Sequence, residues 1–337
     1  MKKVIAYVGT KDLDAILETD ILKIDVINIA FGHINNNVIT WEAPENVKDS
    51  FARIRSINAN TKLILSIGGW SAGGFSEAAM TEESRELVAN SAATLVQEYG
   101  LDGIDIDWEY PCFSVAGIQS DMKDKENFTL FLAKIREKLN AFDGKMLTIA
   151  AGGDTYYTLN TNMAEAQKYL DYVQLMTYDL QGGFTKIAGH HASLYPGKTS
   201  LFDVCVDKAV KVFKEAGVPA EKLIVGIPFY SRIWKGVKGG TDGLGLEAET
   251  VGMYGPGYGD LVEKFIDKNG YKRYWDEIGK APYLFNGDEF ISYDDEQGIK
   301  EKALYIKEQG LGGMMFWEYQ CDPTRVLLNC IYEELNK

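Results

Sequence analysis

Eight short apolar runs, rich in Val, Ile and Leu and spread along the whole chain, most constrain what this sequence can fold into. They fall at 4–8, 25–31, 62–67, 102–108, 146–151, 172–177, 223–228 and 312–317. Runs this continuous suit strands buried on both faces, as in a parallel sheet. Helical patterns lie between them. Over 125–142, Phe128, Phe131, Leu132, Ile135, Leu139 and Phe142 recur at helical spacing before Gly144. Over 82–99, Glu82 and Glu83 occupy the first turn, where the helix dipole favours them, and Gly100 supplies a stop. Over 204–216, Val206, Ala209, Val210 and Phe213 mark one face before Gly217 and Pro219. Eight strands alternating with helices over 337 residues predict a (β/α)8 TIM barrel of the α/β class. A doubly wound sheet is the runner-up. Against it, the first run continues into Tyr7-Val8-Gly9-Thr10 instead of a Gly-rich phosphate fingerprint.

One stretch breaks the rhythm. Nine glycines between Gly236 and Gly259 argue against regular helix or strand there. The pieces beyond, through Tyr283-Leu284-Phe285 and Phe290-Ile291-Ser292-Tyr293-Asp294, read as a small α+β insertion between the seventh strand and the last helix. The expected division is 1–232 with 292–337 as one barrel domain, and 233–291 as the insertion.

Composition narrows the function classes. A formal net charge of −14 speaks against nucleic-acid or anionic-membrane partners, because phosphate contacts need a basic face. Nineteen Tyr and six Trp exceed what a core of this size needs and suit a sugar-binding groove. Cys112, Cys205, Cys321 and Cys330 form no CxxC pair, which excludes a thiolate zinc site. Free buried thiols are expected in preference to a Cys321–Cys330 bridge. No stretch approaches the roughly 20 apolar residues of a membrane span. The opening Met1-Lys2-Lys3-Val4-Ile5-Ala6-Tyr7 carries no signal-type apolar core, so the chain is expected either to stay inside the cell or to have lost a leader. A monomer is expected, with no metal and no cofactor.

The chemistry concentrates in Asp102-Gly103-Ile104-Asp105-Ile106-Asp107-Trp108-Glu109. Side chains alternate along a strand, so Asp105, Asp107 and Glu109 line one face at about 6–7 Å spacing while Ile104, Ile106 and Trp108 take the other. Three carboxylates then point into the barrel and march toward its C-terminal mouth. Like charges this close raise one another's pKa and titrate as a set. A solvated charged strand is the bland alternative, but the alternating Ile and Trp108 leave it no exposed face. A calcium loop of the EF type needs a turn glycine and flexible polar residues where this strand has isoleucine.

The segment Asp102 to Pro111 resembles the D-G-x-D-x-D-x-E motif of glycoside hydrolase family 18, the chitinases and their relatives. Ser66-Ile67-Gly68-Gly69-Trp70 resembles the family's S-x-G-G motif, and Met176-Thr177-Tyr178-Asp179 its M-x-Y-D. Pro228-Phe229-Tyr230-Ser231-Arg232 and Met315-Phe316-Trp317-Glu318 follow at the ends of strands seven and eight. The insertion resembles the family's chitinase insertion domain through Trp275-Asp276, Pro282 to Phe285 and Ile291 to Asp295. The resemblance implies a glycosidase acting on β-1,4-linked N-acetylglucosamine in chitin or its oligosaccharides by substrate assistance. It implies Glu109 as general acid, Asp107 as the group that holds the 2-acetamido N–H, and Tyr178 as a donor to the acetamide. Asp105 is implied to share a proton with Asp107. Trp317 would floor the distorted sugar, Trp70 would stack on the leaving-side sugar and Tyr110 would sit beside the acid. Tyr7, Phe31, Met176, Asp179, Tyr230 and Arg232 would line the pocket, with Ser66 and Asp102 as strand supports. The bland alternatives are a core position for Trp70 and a surface ion pair for Arg232.

Three other motifs carry less. Gly69-Trp70-Ser71-Ala72-Gly73 matches a G-x-S-x-G nucleophile elbow, but Gly73-Gly74 weaken the helix that elbow requires. His190-His191 reads as loop, not as a metal site, because no acidic partner lies at ligand spacing. The sequon Asn127-Phe128-Thr129 falls inside a predicted helix. A chitin-binding lectin typically lacks the acid, whereas Glu109 is present here. An endo-β-N-acetylglucosaminidase or a peptidoglycan-type hydrolase on the same scaffold stays open, as does endo against exo action.

Overall fold

The eight runs become eight parallel strands in a computed structural model, which describes residues 2–197 and 203–337. They are β1 (Lys3–Gly9), β2 (Val26–Asn35), β3 (Lys62–Gly68), β4 (Gly103–Asp107), β5 (Met146–Gly152), β6 (Tyr172–Met176), β7 (Leu223–Pro228) and β8 (Gly313–Trp317). Each pairs with the next in chain order, and β1 pairs with both β8 and β2, so the sheet closes on itself. This is a (β/α)8 barrel. Helices including Val47–Ile57, Glu82–Tyr99, Asp124–Leu139, Val206–Glu215, Glu296–Glu308 and Val326–Asn336 surround it. None of the described helices is long and apolar enough to cross a membrane.

Local sequence explains the helix ends. Thr81 and Ser84 form a reciprocal capping box at the start of Glu82–Tyr99, and Gly100 ends it in the left-handed region at φ 64°. Helix Asp124–Leu139 stops short of the predicted Phe142, which lies in a turn closed by Phe142 N–H to Leu139 C=O at 3.0 Å. The apolar spacing there continued past the point where the backbone turned.

Period-2 alternation decides which side chains face which core. On the outer face of β4, Ile104 and Ile106 lie under the helices, followed by Trp108, whose ring stacks on Phe75 at 5.4 Å and packs against Phe128 and Phe131. Truncating a tryptophan this enclosed would cost about 3–5 kcal/mol. The inner face holds a separate cluster that includes Ile5, Tyr7, Ile64, Met176 and Met315.

A second, antiparallel sheet lies beside the barrel, with order Met253–Gly257, Tyr230–Trp234, Phe290–Ser292, Ala281–Phe285, Lys272–Asp276. The Gly-rich stretch is therefore not wholly irregular. Met253–Gly257 pairs with Tyr230–Trp234 through a register shift between Tyr254 and Gly257. It is an edge strand, where glycine and proline are tolerated because one side needs no partner. The four cysteines are free; Cys205 and Cys330 are buried while Cys112 and Cys321 are half-buried.

Candidate active site

Asp105 occupies the middle of the barrel and is fully buried. Its Oδ2 accepts from the Tyr7 hydroxyl and from Ser66 Oγ, each at 2.7 Å. Its Oδ1 accepts from Thr148 Oγ1 at 2.6 Å and Gln174 Nε2 at 2.9 Å, and Asn28 orients that amide by donating to Gln174 Oε1 at 2.7 Å. Burial raises the Asp105 pKa, and these four donors oppose the rise. Ser66 thus supports a carboxylate as well as a strand. Asp102 supports only the strand ends, accepting from Leu63 N–H at 3.0 Å and pairing with Arg55 and Lys62.

Asp107 ends β4 on the same face and lines a cavity of about 870 Å³. Its Oδ1 is buried with no hydrogen-bond partner among the described residues. Burial, then the Glu109 charge, then the Asp105 charge push its pKa well above the usual carboxylate range. Glu109, two residues on, is raised to about 7 by burial, with Tyr110 hydrogen bonding pulling it down and Asp179 pushing it up. Asp107 and Glu109 in the cavity wall, with buried Asp105 beneath them, therefore favour retaining a proton near neutral pH. Tyr178 is half-buried and stays protonated, because desolvation and the charges of Asp107 and Glu109 raise it well above its ordinary value. Its hydroxyl lies 3.9 Å from Met315 Sδ, a weak acceptor.

Asp179 sits just beyond β6 with its backbone in the left-handed region, which aspartate tolerates better than most residues. Arg232 grips it through Nε to Oδ1 and Nη2 to Oδ2, both at 2.6 Å, and His191 Nδ1 lies 3.4 Å from Oδ1. Burial alone would raise Asp179, yet His191 and Arg232 hold it below the usual range. Arg232 is a wall of the cavity, not a surface ion pair. The two histidines read as loop do have acidic partners, remote in sequence: His191 has Asp179, and His190 has Asp276 at 3.1 Å. Folding joined residues that spacing could not.

The floor is aromatic. Trp317 stacks on Phe31 at 5.5 Å and tilts against Tyr7 at 5.6 Å. Tyr230 stacks on Tyr254 at 4.5 Å. Gly68 and Gly69, with φ of 119° and 93°, let β3 turn beside this floor; a Cβ on Gly68 would strike the Asp107 carbonyl and one on Gly69 the Phe31 ring. Trp70 is 55% exposed at the rim and is no core residue.

Every predicted site residue except Asp105 lines the cavity. The lining also includes Phe113, Asp154, Tyr156, Phe184 and Tyr254, which the sequence reading did not single out. Phe113 and Tyr156 pack together at 5.1 Å, and Phe184 is 84% exposed. Phe113, Tyr156 and Phe184 follow strand ends by a few residues, and aromatics in such loops are the signal that could have found them. Tyr254 lay hidden in the Gly-rich stretch.

Residues 3–322 match the model for glycosyl hydrolases family 18, and the chain belongs to that family. Chitinase A1 of Niallia circulans is 40% identical over 320 residues, which cover 88% of this chain and 46% of that protein. Endochitinase 1 of Metarhizium robertsii is 34% identical over 281 residues, covering 80% and 63% respectively. The chain thus spans about half to two thirds of the length of these relatives. A solved family 18 N-acetylglucosaminidase from Paenibacillus barengoltzii superposes with a TM-score of 0.97 at 49% identity, covering 99% of this chain and all of that one.

Proposed function

We propose that this chain hydrolyses β-1,4-linked N-acetylglucosamine in chitin or its oligosaccharides by a retaining mechanism in which the substrate supplies the nucleophile. The observation that carries this reading is the pairing of a Glu109 protonated up to about pH 7 with a buried, unpartnered Asp107 oxygen in one wall of the cavity. Glu109 protonates the glycosidic oxygen as the bond to the anomeric carbon breaks. The 2-acetamido oxygen attacks that carbon, giving a bicyclic oxazolinium ion. Asp107 accepts the acetamide N–H and balances the positive charge, while the Tyr178 hydroxyl donates to the acetamide and holds it for attack. Glu109, now ionised, removes a proton from water, which opens the ion with overall retention.

Asp105 contributes by charge and not by touching the sugar. Its four donors favour its ionised form before substrate binds, which leaves the shared proton on Asp107. That proton passes toward Asp105 as Asp107 turns to the acetamide, so Asp107 is ionised when it balances the charge. Trp317 and Phe31 floor the reacting sugar, Tyr7, Met176, Tyr230 and Arg232 wall it, Tyr110 steadies the acid, and exposed Trp70 stacks on the leaving side. Residues 233–291 then act as the unit that walls one flank of the groove.

Release of single terminal sugars is the second reading, favoured by the full-length likeness to an enzyme described as an N-acetylglucosaminidase. One experiment addresses both. Chitin oligomers should be cut with retention at the anomeric carbon, while fully deacetylated oligomers of the same length, lacking the acetamide, should not be cut. Monomer as the sole early product selects terminal release, and longer early products select internal cleavage. Equal turnover of the deacetylated oligomer would sink the substrate-assisted reading.

A further inference from the structure

His191 does not line the cavity, yet it is tied to the charge network that does. It is wholly buried in the segment between β6 and helix Val206–Glu215. Its backbone N–H donates to Ser292 Oγ at 2.9 Å, which fastens it to the antiparallel sheet, and its ring packs edge-on against Tyr230 at 5.6 Å. Nδ1 faces Asp179 Oδ1 at 3.4 Å, while Nε2 is buried without a partner among the described residues. Arg232 keeps Asp179 ionised, and an ionised carboxylate can only accept. The proton between them therefore belongs to Nδ1. Burial disfavours a second proton on the ring, so Nε2 stays bare.

Asp179 matters because it shares the cavity wall with Glu109. We propose that His191 is a positioning residue whose Nδ1–H pins the Asp179 carboxylate in the orientation shared with Arg232, so that its charge keeps bearing on Glu109. The antiparallel sheet, holding His191 through Ser292, thereby helps set the pH range over which the acid works. This rests on the general-acid role proposed for Glu109. His191 faces Asp179, Arg232 and Tyr230, with Lys302 and its partner Asp294 behind it. Glu109 faces Asp107, Tyr110 and Asp179, with Tyr178 and Tyr157 nearby.

The test compares His191→Phe, which removes the donor, with His191→Asn, whose side-chain amide N–H can stand where Nδ1–H stood. On a chromogenic chitobioside, His191→Phe should move the alkaline limb of kcat/KM down by roughly half a pH unit, because a freed Asp179 raises Glu109 less. His191→Asn should bring it back. A limb that stays put in His191→Phe, or moves as far in His191→Asn, overturns the proposal while leaving wild-type turnover and the function reading intact. Absence of turnover in the wild type overturns both together. If His191→Phe does not fold, nitrogen-15 histidine spectra of the wild-type chain decide. The chain has three histidines, and the resonance lost in His191→Asn identifies this one. It should show the neutral Nδ1–H tautomer from about pH 6 to 8, whereas an Nε2–H tautomer or a charged ring there overturns the proposal.

Discussion

Asp105 and Asp107 are two residues apart on one face of β4, both buried, and their surroundings are opposite. Around Asp105 the barrel supplies four donors from four other strands, Tyr7 on β1, Ser66 on β3, Thr148 on β5 and Gln174 on β6. Around Asp107 it supplies a neighbouring glutamate and leaves one oxygen unpaired. One layer is a finished hydrogen-bond network, and the next is left incomplete at the mouth. Buried polar groups without partners are destabilising, so a site that keeps one is poised for something that arrives from outside.

The contrast can be broken most forcefully at Glu109. If Glu109 is the acid proposed above, Glu109→Gln should lower kcat by about 10³-fold, within the range expected for loss of a general acid, while oligosaccharide affinity by calorimetry stays near wild type. Unchanged turnover would remove the mouth layer's role altogether.

The two aspartates should then separate by stability. Asp105→Asn turns an amide N–H toward groups that are themselves donors and gives up charge-assisted bonds, so urea unfolding should show a loss of about 2 kcal/mol. Asp107→Asn disturbs no such set and exchanges a protonated carboxyl for a neutral amide of similar shape, so its stability at neutral pH should lie within about 0.5 kcal/mol of wild type. Activity should run the other way, with Asp107→Asn losing about 10²-fold in kcat. Equal destabilisation by both changes would erase the distinction between the layers.

Protonation sharpens the same comparison. Glu109 binds its proton up to about pH 7 in the folded chain, against 4.5 for an ordinary glutamate. Between those values the folded state holds more protons than the unfolded one, so stability falls as pH rises through that window. Melting temperatures across it should fall less in Glu109→Gln than in wild type. The kcat/KM profile of the wild type should lose activity on its alkaline side near the same value, because the proposed role requires Glu109 to carry its proton. The smallest effect belongs to the rim. Trp70→Ala should raise KM severalfold for longer oligomers and leave the melting temperature unchanged, since the ring is more than half exposed.

Much of this was legible before folding. The eight runs announced the barrel because strands buried on both faces need continuous apolar stretches, and the i, i+2, i+4 spacing of Asp105, Asp107 and Glu109 fixed them to one face whatever packed around them. Tyr178, Arg232 and Trp317 were reached through resemblance to the family's motifs at strand ends, where barrels of this kind gather their chemistry. Other features were invisible because they join residues far apart in sequence. Tyr7 reaches Asp105 across 98 positions, and Asp276 reaches His190 across 86. Tyr254 gained its place from an edge pairing that its glycine-rich surroundings concealed.

The sequence by itself determined which residues face inward and which carboxylates stand in line, since backbone periodicity is local. Only the tertiary structure decided which of those carboxylates is satisfied and which is left wanting. That depends on burial and on donors contributed by distant strands, and neither exists until the barrel closes.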